Sequence, residues 1–218
     1  MKKGLVLMGL IGMTFLAGCV SMGTYRKKVG ENEKLIEQIK KLQGENETIE
    51  TLKKEMIAKE GTISTLRGTY DELITELKEE IASGEVGVRE SDEELIIAMG
   101  NQVLFQSGHA DLQQQGKKVL KSIAKILSNV ENKSIQVEGH SDNQPIAGAL
   151  QKRYPSNWEL SAARAAAVVR YLIKKGDMDP ASIVLVAHAD NEPLASNETH
   201  EGRQQNRRVE IKLVNKGK

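Results

Sequence analysis

The sequence predicts an α+β chain in which a long helical stalk leads into a mixed sheet with helices on one face. Three observations predict it. Residues 25–81 contain no proline, are rich in Glu and Lys, and repeat their apolar residues at steps of four and three. Beyond residue 90, short alternating apolar runs exchange with segments of helical periodicity. Between these regions, Ser83-Gly84-Glu85-Val86-Gly87-Val88 loses the heptad and gains glycine, which marks a boundary. The organisation expected is a signal at 1–18, a tether at 19–34, a stalk at 35–82, a linker at 83–91 and a distal domain at 92–218.

Composition narrows the function classes. The 218 residues carry 31 Lys and Arg against 30 Asp and Glu, with 3% aromatics. That balance supplies no basic stripe, so nucleic acid is not an expected partner. A single cysteine excludes an intramolecular disulfide framework.

The cysteine has a clear context. Met1-Lys2-Lys3 is basic, residues 4–15 are apolar, and Leu16-Ala17-Gly18-Cys19 closes the run with small residues. This is the layout of a secretory signal. The apolar run falls short of the roughly 20 residues that a membrane-spanning helix needs. The Leu-Ala-Gly-Cys ending resembles a bacterial lipobox. The resemblance implies cleavage before Cys19 and acylation of its thiol and new amino group, and several acyl chains give stable anchoring. Val20 and Ser21 follow, with no Asp directly after the cysteine. By the same resemblance the destination is the periplasmic face of the outer membrane.

In the stalk, Leu35, Ile39, Leu42 and Ile49 form a seam, with Asn46 as its polar member. Leu52, Met56, Ile63, Leu66, Tyr70, Leu73 and Leu77 continue it, with Lys59 as the interruption. One residue is lost from the register between Ile49 and Leu52, a phase defect in a heptad. The pattern predicts a coiled coil that self-associates. A lone amphipathic helix, or a segment ordered by a partner, remains an open alternative. Gly44, Gly61 and Gly68 each cost about 1 kcal/mol relative to Ala, so a weak or interrupted helix is expected.

In the distal domain, strands are expected at 93–98, 103–105, 134–138, 183–187 and 208–214, with a turn at Gly100-Asn101. Helices are expected at 112–130 and 156–175, the second opened by a Ser156 cap and closed at Gly176.

Three ordered blocks carry the chemistry. They are Gly139-His140-Ser141-Asp142 after a strand, Asn157-Trp158-Glu159-Leu160-Ser161-Ala162-Ala163-Arg164-Ala165, and Asn206-Arg207-Arg208-Val209-Glu210. Together they resemble the OmpA-like/MotB-like C-terminal domain over roughly the last 125 residues. The resemblance implies a βαβαβ core with an added strand and non-covalent binding of peptidoglycan, with no catalysis and no cofactor. The ligand implied is the zwitterionic end of the diaminopimelate side chain in the stem peptide. By the same match Asp142 takes the ammonium and Arg164 the carboxylate, while Asn157 and Leu160 shape the pocket. A guanidinium can grip a carboxylate through two parallel hydrogen bonds. Neighbours on a strand point to opposite faces, so of Arg207 and Arg208 one at most meets the ligand, and Arg207 is the choice. Trp158 either lines the groove or anchors in the core.

The departures from the family pattern are local. Ser141 keeps a hydroxyl where threonine is commoner. Residues 143–155 form a long segment that resembles the motility-protein branch. Ala187-His188-Ala189-Asp190 stands where the family has glycines, and alanine resists a positive φ.

Other classes have less support. His140-Ser141-Asp142 is not a triad by adjacency, and no G-x-S-x-G elbow is present. His109, His140, His188 and His200 lack metal-ligand spacing, so no metal is expected. A flagellar-stator-like motility protein would need a longer apolar segment with a proton-carrying carboxylate. A coiled-coil scaffold whose stalk is the functional part stays open.

Overall fold

A computed structural model describes residues 21–90, 94–106, 108–130 and 133–215. The signal at 1–18 and Cys19 lie outside the described residues. The chain divides into two units, Met1–Met56 and Ile57–Lys218. No helix among the described residues is long and apolar enough to cross a membrane.

Helix α1 runs through Met22–Glu76 without a break. The expected interruptions at Gly44, Gly61 and Gly68 are absent, and the presumed tether is helical from Met22 onward. Three penalties of about 1 kcal/mol are diluted along so many good helix formers. In the first unit, Leu35, Ile39, Leu42 and Ile49 are 47% to 58% exposed. In the second unit, Leu66 and Leu73 are 0% exposed and belong to the hydrophobic core. The later part of the seam is therefore buried in the chain's own domain, and it is not free for a partner helix. The second compact unit thus begins near residue 57 and includes the end of α1.

After α2 (Lys78–Ala82) the chain turns at Gly84, whose φ of 75° suits glycine. The expected linker at 83–91 is mostly a strand, β1 (Val86–Glu90), paired antiparallel with β2 (Leu95–Gly100). An edge strand has one neighbour and needs few apolar residues, which hid it in the sequence. The strand expected at 103–105 is also corrected. Asn101–Leu104 is a short helix, α3, and Phe105 makes only an isolated bridge with Leu112.

The remaining elements are α4 (Gln114–Leu127), β3 (Lys133–His140), α5 (Ala149–Arg153), α6 (Asn157–Lys175), β4 (Ile183–Ala189), α7 (His200–Asn206) and β5 (Arg208–Asn215). The sheet order is β1-β2-β5-β3-β4. Among the described strands only β3 and β4 are parallel, joined by the crossover through α6. Ile97, Met99, Ile135, Val137, Val209, Ile211 and Leu213 gather with Val119, Leu120 and Ile123 of α4 and Ala165, Val168 and Leu172 of α6. Alternation sends Glu138, Glu210 and Lys212 to the other face.

Gly139 is the point of closest approach between sheet and helix. A Cβ there would lie 2.2 Å from the Ser161 carbonyl oxygen of α6. Gly87 on the edge strand has nothing within 4 Å of that position. Gly139→Ala is expected to lower unfolding stability by about 3 kcal/mol, because the obstacle is backbone and cannot rotate away. Gly87→Ala is expected to stay within about 0.5 kcal/mol of the parent. Urea unfolding of the two variants measures both.

Candidate functional site

The site forms where β3 ends. Ser141 N–H donates to the Ala189 carbonyl at 2.7 Å, and the Ser141 hydroxyl donates to the Asp142 carbonyl at 3.0 Å. The backbone is thereby turned so that Asp142 is only 6% exposed. One of its carboxylate oxygens accepts from Gln144 N–H at 3.3 Å, and the other pairs with Arg207.

Helix α6 supplies the facing wall, and its start is fixed locally. The Ser156 hydroxyl accepts from Trp158 N–H at 3.2 Å, and Glu159 accepts from Ser156 N–H at 2.8 Å, closing a capping box. Asn157 donates from Nδ2 to the carbonyls of Asp142 and Gln144, both at 3.1 Å. Asn157 therefore ties the loop to the helix. Leu160 packs with Ala110 and Tyr154 in a satellite cluster that also gathers Ile146 and Leu150.

Arg164 lies about two turns further along α6. It is 6% exposed, its Nε donates to the His109 carbonyl at 3.2 Å, and its guanidinium lies 5.5 Å from the centre of the Phe105 ring. Among the described residues no carboxylate lies within ion-pair distance of it. Burial pulls its pKa from 12.5 down to about 10; Tyr154 and Asp142 oppose the fall and the nearby Arg207 charge adds to it. The group is still cationic at neutral pH. Asp142 and Arg164 thus make no ion pair, because Arg207 takes that place beside Asp142.

The C-terminal block divides its labour. Asn206 is 0% exposed. It accepts from Leu194 and Ala195 N–H and donates to the Ala195 carbonyl, which shapes the loop before α7. Arg207 lines the cavity with its side chain 32% exposed. Arg208 faces the other way and pairs with Glu210 at 2.7 Å. Trp158 takes neither expected role: it is 52% exposed and does not line the cavity.

These groups surround a cavity of about 600 Å³, walled by Phe105, Pro145, Ile146, Leu150 and Leu160 and floored by Asp142, Arg164 and Arg207. A further wall residue was not singled out from the sequence. Asn101 is 6% exposed, and neither its amide nitrogen nor its amide oxygen has a hydrogen-bond partner. In the sequence it reads as a turn residue beside Gly100, and only the fold reveals it as a buried, unpartnered polar group in the cavity wall.

The rim at Ala187-His188-Ala189-Asp190 keeps a glycine-like backbone without glycine. Ala189 has φ of 51°, at a β-bulge where His140 pairs with Ala189 after Gly139 has paired with Ala187. A left-handed alanine costs about 1 kcal/mol, so the surrounding contacts hold it there.

Comparison with known proteins agrees with this architecture. Residues 104–207 match the model of the OmpA family. Motility protein B of Bacillus subtilis (strain 168) is 30% identical over 141 residues, which is 65% of this chain and 53% of that protein. Probable lipoprotein YiaD of Escherichia coli (strain K12) is 34% identical over 137 residues, 63% of this chain and 59% of that protein. The chain thus spans little more than half of these relatives. The solved structure of the cell wall anchor of the T6SS from Pseudomonas aeruginosa is 35% identical and superposes with a TM-score of 0.60, over 66% of this chain and 97% of that one. A five-stranded mixed sheet with this site at the end of β3, the family match over residues 104–207 and a 35% identical solved structure covered over 97% of its own length place the chain in the OmpA family.

Proposed function

We propose that the distal domain binds peptidoglycan non-covalently by gripping the zwitterionic end of diaminopimelate, and that the chain is a lipid-anchored tether between the outer membrane and the wall. The observation that carries the reading is the buried Arg164 guanidinium, without a carboxylate at ion-pair distance among the described residues, set in one cavity with the Asp142 carboxylate. A buried cation without a counter-ion is costly, and a ligand carboxylate relieves that cost. The ligand's ammonium then shares Asp142 with Arg207. Asn101 offers an amide to the remaining polar atoms. The match to a cell wall anchor supports this reading. The match to motility protein B favours a second one, a motility protein with the same wall-binding domain.

The fragment 57–218 is the suitable unit, since a shorter one would cut away core residues Leu66, Leu73 and Val86. It is expected to co-sediment with diaminopimelate-type sacculi and to be competed off by free diaminopimelate. Asp142→Ala and Arg164→Ala are each expected to weaken binding about tenfold or more, and Arg164→Lys not to restore it. Asn101→Ala is expected to weaken binding about threefold with unfolding stability unchanged, because its amide has no bond to lose. A folded parent that ignores sacculi would remove the wall-anchor reading.

Lipidation at Cys19 is tested separately. In cells given labelled palmitate, the chain is expected to carry label in the outer-membrane fraction, and Cys19→Ala to lose both label and fractionation. An unprocessed chain in the inner membrane would support the motility reading instead.

The exposed seam of Leu35, Ile39, Leu42 and Ile49 is proposed to pair with a second copy. Sedimentation equilibrium is expected to show an oligomer for residues 20–218 and a monomer for 57–218.

A further inference from the structure

The polar face of the sheet holds a cluster that peptidoglycan binding does not use. The parallel pairing of β3 with β4 brings two distant histidines together, and the bulge after Gly139 inserts His188 beside His140. The two rings stack with centroids 4.7 Å apart and planes 8° from parallel. His140 is 1% exposed, yet neither of its ring nitrogens makes a hydrogen bond. Its Nε2 lies 3.5 Å from Glu138 Oε2, and His188 Nε2 lies 3.3 Å from the same oxygen. Buried ring nitrogens of this kind are rarely left idle.

We infer that Glu138, His140 and His188 form a binding site for a divalent transition-metal cation, Zn²⁺ being the ion that suits the donor set. Two imidazoles and a carboxylate with an open fourth position are a known zinc donor set. Zinc–ligand bonds of about 2.0–2.1 Å put neighbouring ligand atoms of a tetrahedron about 3.3 Å apart. The two nitrogen–oxygen separations already have that value within 0.2 Å. The side chains of His140 and Glu138 are fixed by burial, while His188 is 19% exposed and provides the entry. Parallel rings aim their lone pairs side by side, so His188 tilts on loading to bring its own onto the ion.

The surrounding groups fit this role. Glu192 Oε1 lies 3.0 Å from His188 Nδ1, as a carboxylate does when it orients a ligating imidazole from behind. Lys212 Nζ is 2.8 Å from Glu138 Oε2 and 3.8 Å from Glu210 Oε2. On metal binding Lys212 moves the short distance to Glu210. Sequence spacing concealed the site, because its histidines are 48 positions apart and meet only through the strand pairing.

The test uses the tag-free full chain in detergent, stripped with chelator and titrated with ZnCl₂. One equivalent per chain is expected to survive gel filtration by metal analysis. Its binding is expected to raise the thermal midpoint, reversibly on chelation. His188→Ala, the more exposed ligand and the one least needed for folding, is expected to weaken binding at least tenfold with an unchanged circular dichroism spectrum. Glu192→Gln is expected to weaken it several-fold. The double variant His109→Ala/His200→Ala, which spares the cluster, is expected to bind as the parent does. Less than one retained equivalent, or unchanged binding in His188→Ala, would overturn the site and leave a stacked histidine pair braced by Glu138. Sacculus binding is read independently, so either inference can fail alone.

Discussion

The close approach of α6 to β3 at Gly139 is the constraint on which the site depends. With no Cβ at that position, the Ser161 backbone comes into contact with the strand. From that fixed point the other positions follow. Asn157 lies about one turn before Ser161 and Arg164 about one turn after it, on the same side of the helix. Asp142 lies three residues past Gly139, where the strand has just ended. A wider separation of helix and strand would draw Arg164 away from Asp142 and detach Asn157 from the loop carbonyls it holds. The precision of the site is therefore a packing property of two regular elements, with the loop between them pinned at both ends.

The charges show why the cavity is unsatisfied as it stands. Arg207 and Asp142 balance each other, whereas among the described residues Arg164 meets a carbonyl and an aromatic face. Burial is the largest influence against the cationic form, and with the Arg207 charge it outweighs Tyr154 and Asp142, so the Arg164 pKa falls to about 10. A cavity with one surplus cation, one shared carboxylate and an unpartnered amide is complementary to a small zwitterion carrying an extra polar group. It suits a simple anion less well, since Asp142 would repel it.

Much of this was legible in the sequence, for identifiable reasons. The helix at α6 announced itself through Ser156, Glu159 and the apolar spacing, and the alternation of Val209 and Ile211 announced β5. The opposite fates of Arg207 and Arg208 follow from strand parity alone. What the sequence concealed depended on tertiary neighbours. β1 hid because an edge strand with Gly87, Arg89 and Glu90 looks like a linker. Asn101 reads as a turn residue until the cavity forms around it. His140 and His188 carry no shared spacing, because a parallel pair is joined by a long crossover. Ala189 reversed the expectation for its loop: alanine does adopt the positive φ there, held by its pairing with His140 and by the bond from Ser141 N–H.

The stalk shows how one periodic pattern can be used in two ways. A heptad records that a stripe must be buried, and it does not record against what. From Leu66 onward the stripe is consumed by the domain, where Leu66, Leu73 and Leu77 sit in the same core as β2 and β5. Before Met56 the residues of the same stripe remain exposed. The change of use falls soon after Lys59, the seam position least suited to burial, and the lost register step between Ile49 and Leu52 lies just ahead of it. A stripe meant for one continuous partner would gain from unbroken register along its length, whereas two different partners have no shared register to keep. The phase defect and the polar seam residue together therefore mark where the stripe passes from exposed residues to the chain's own core.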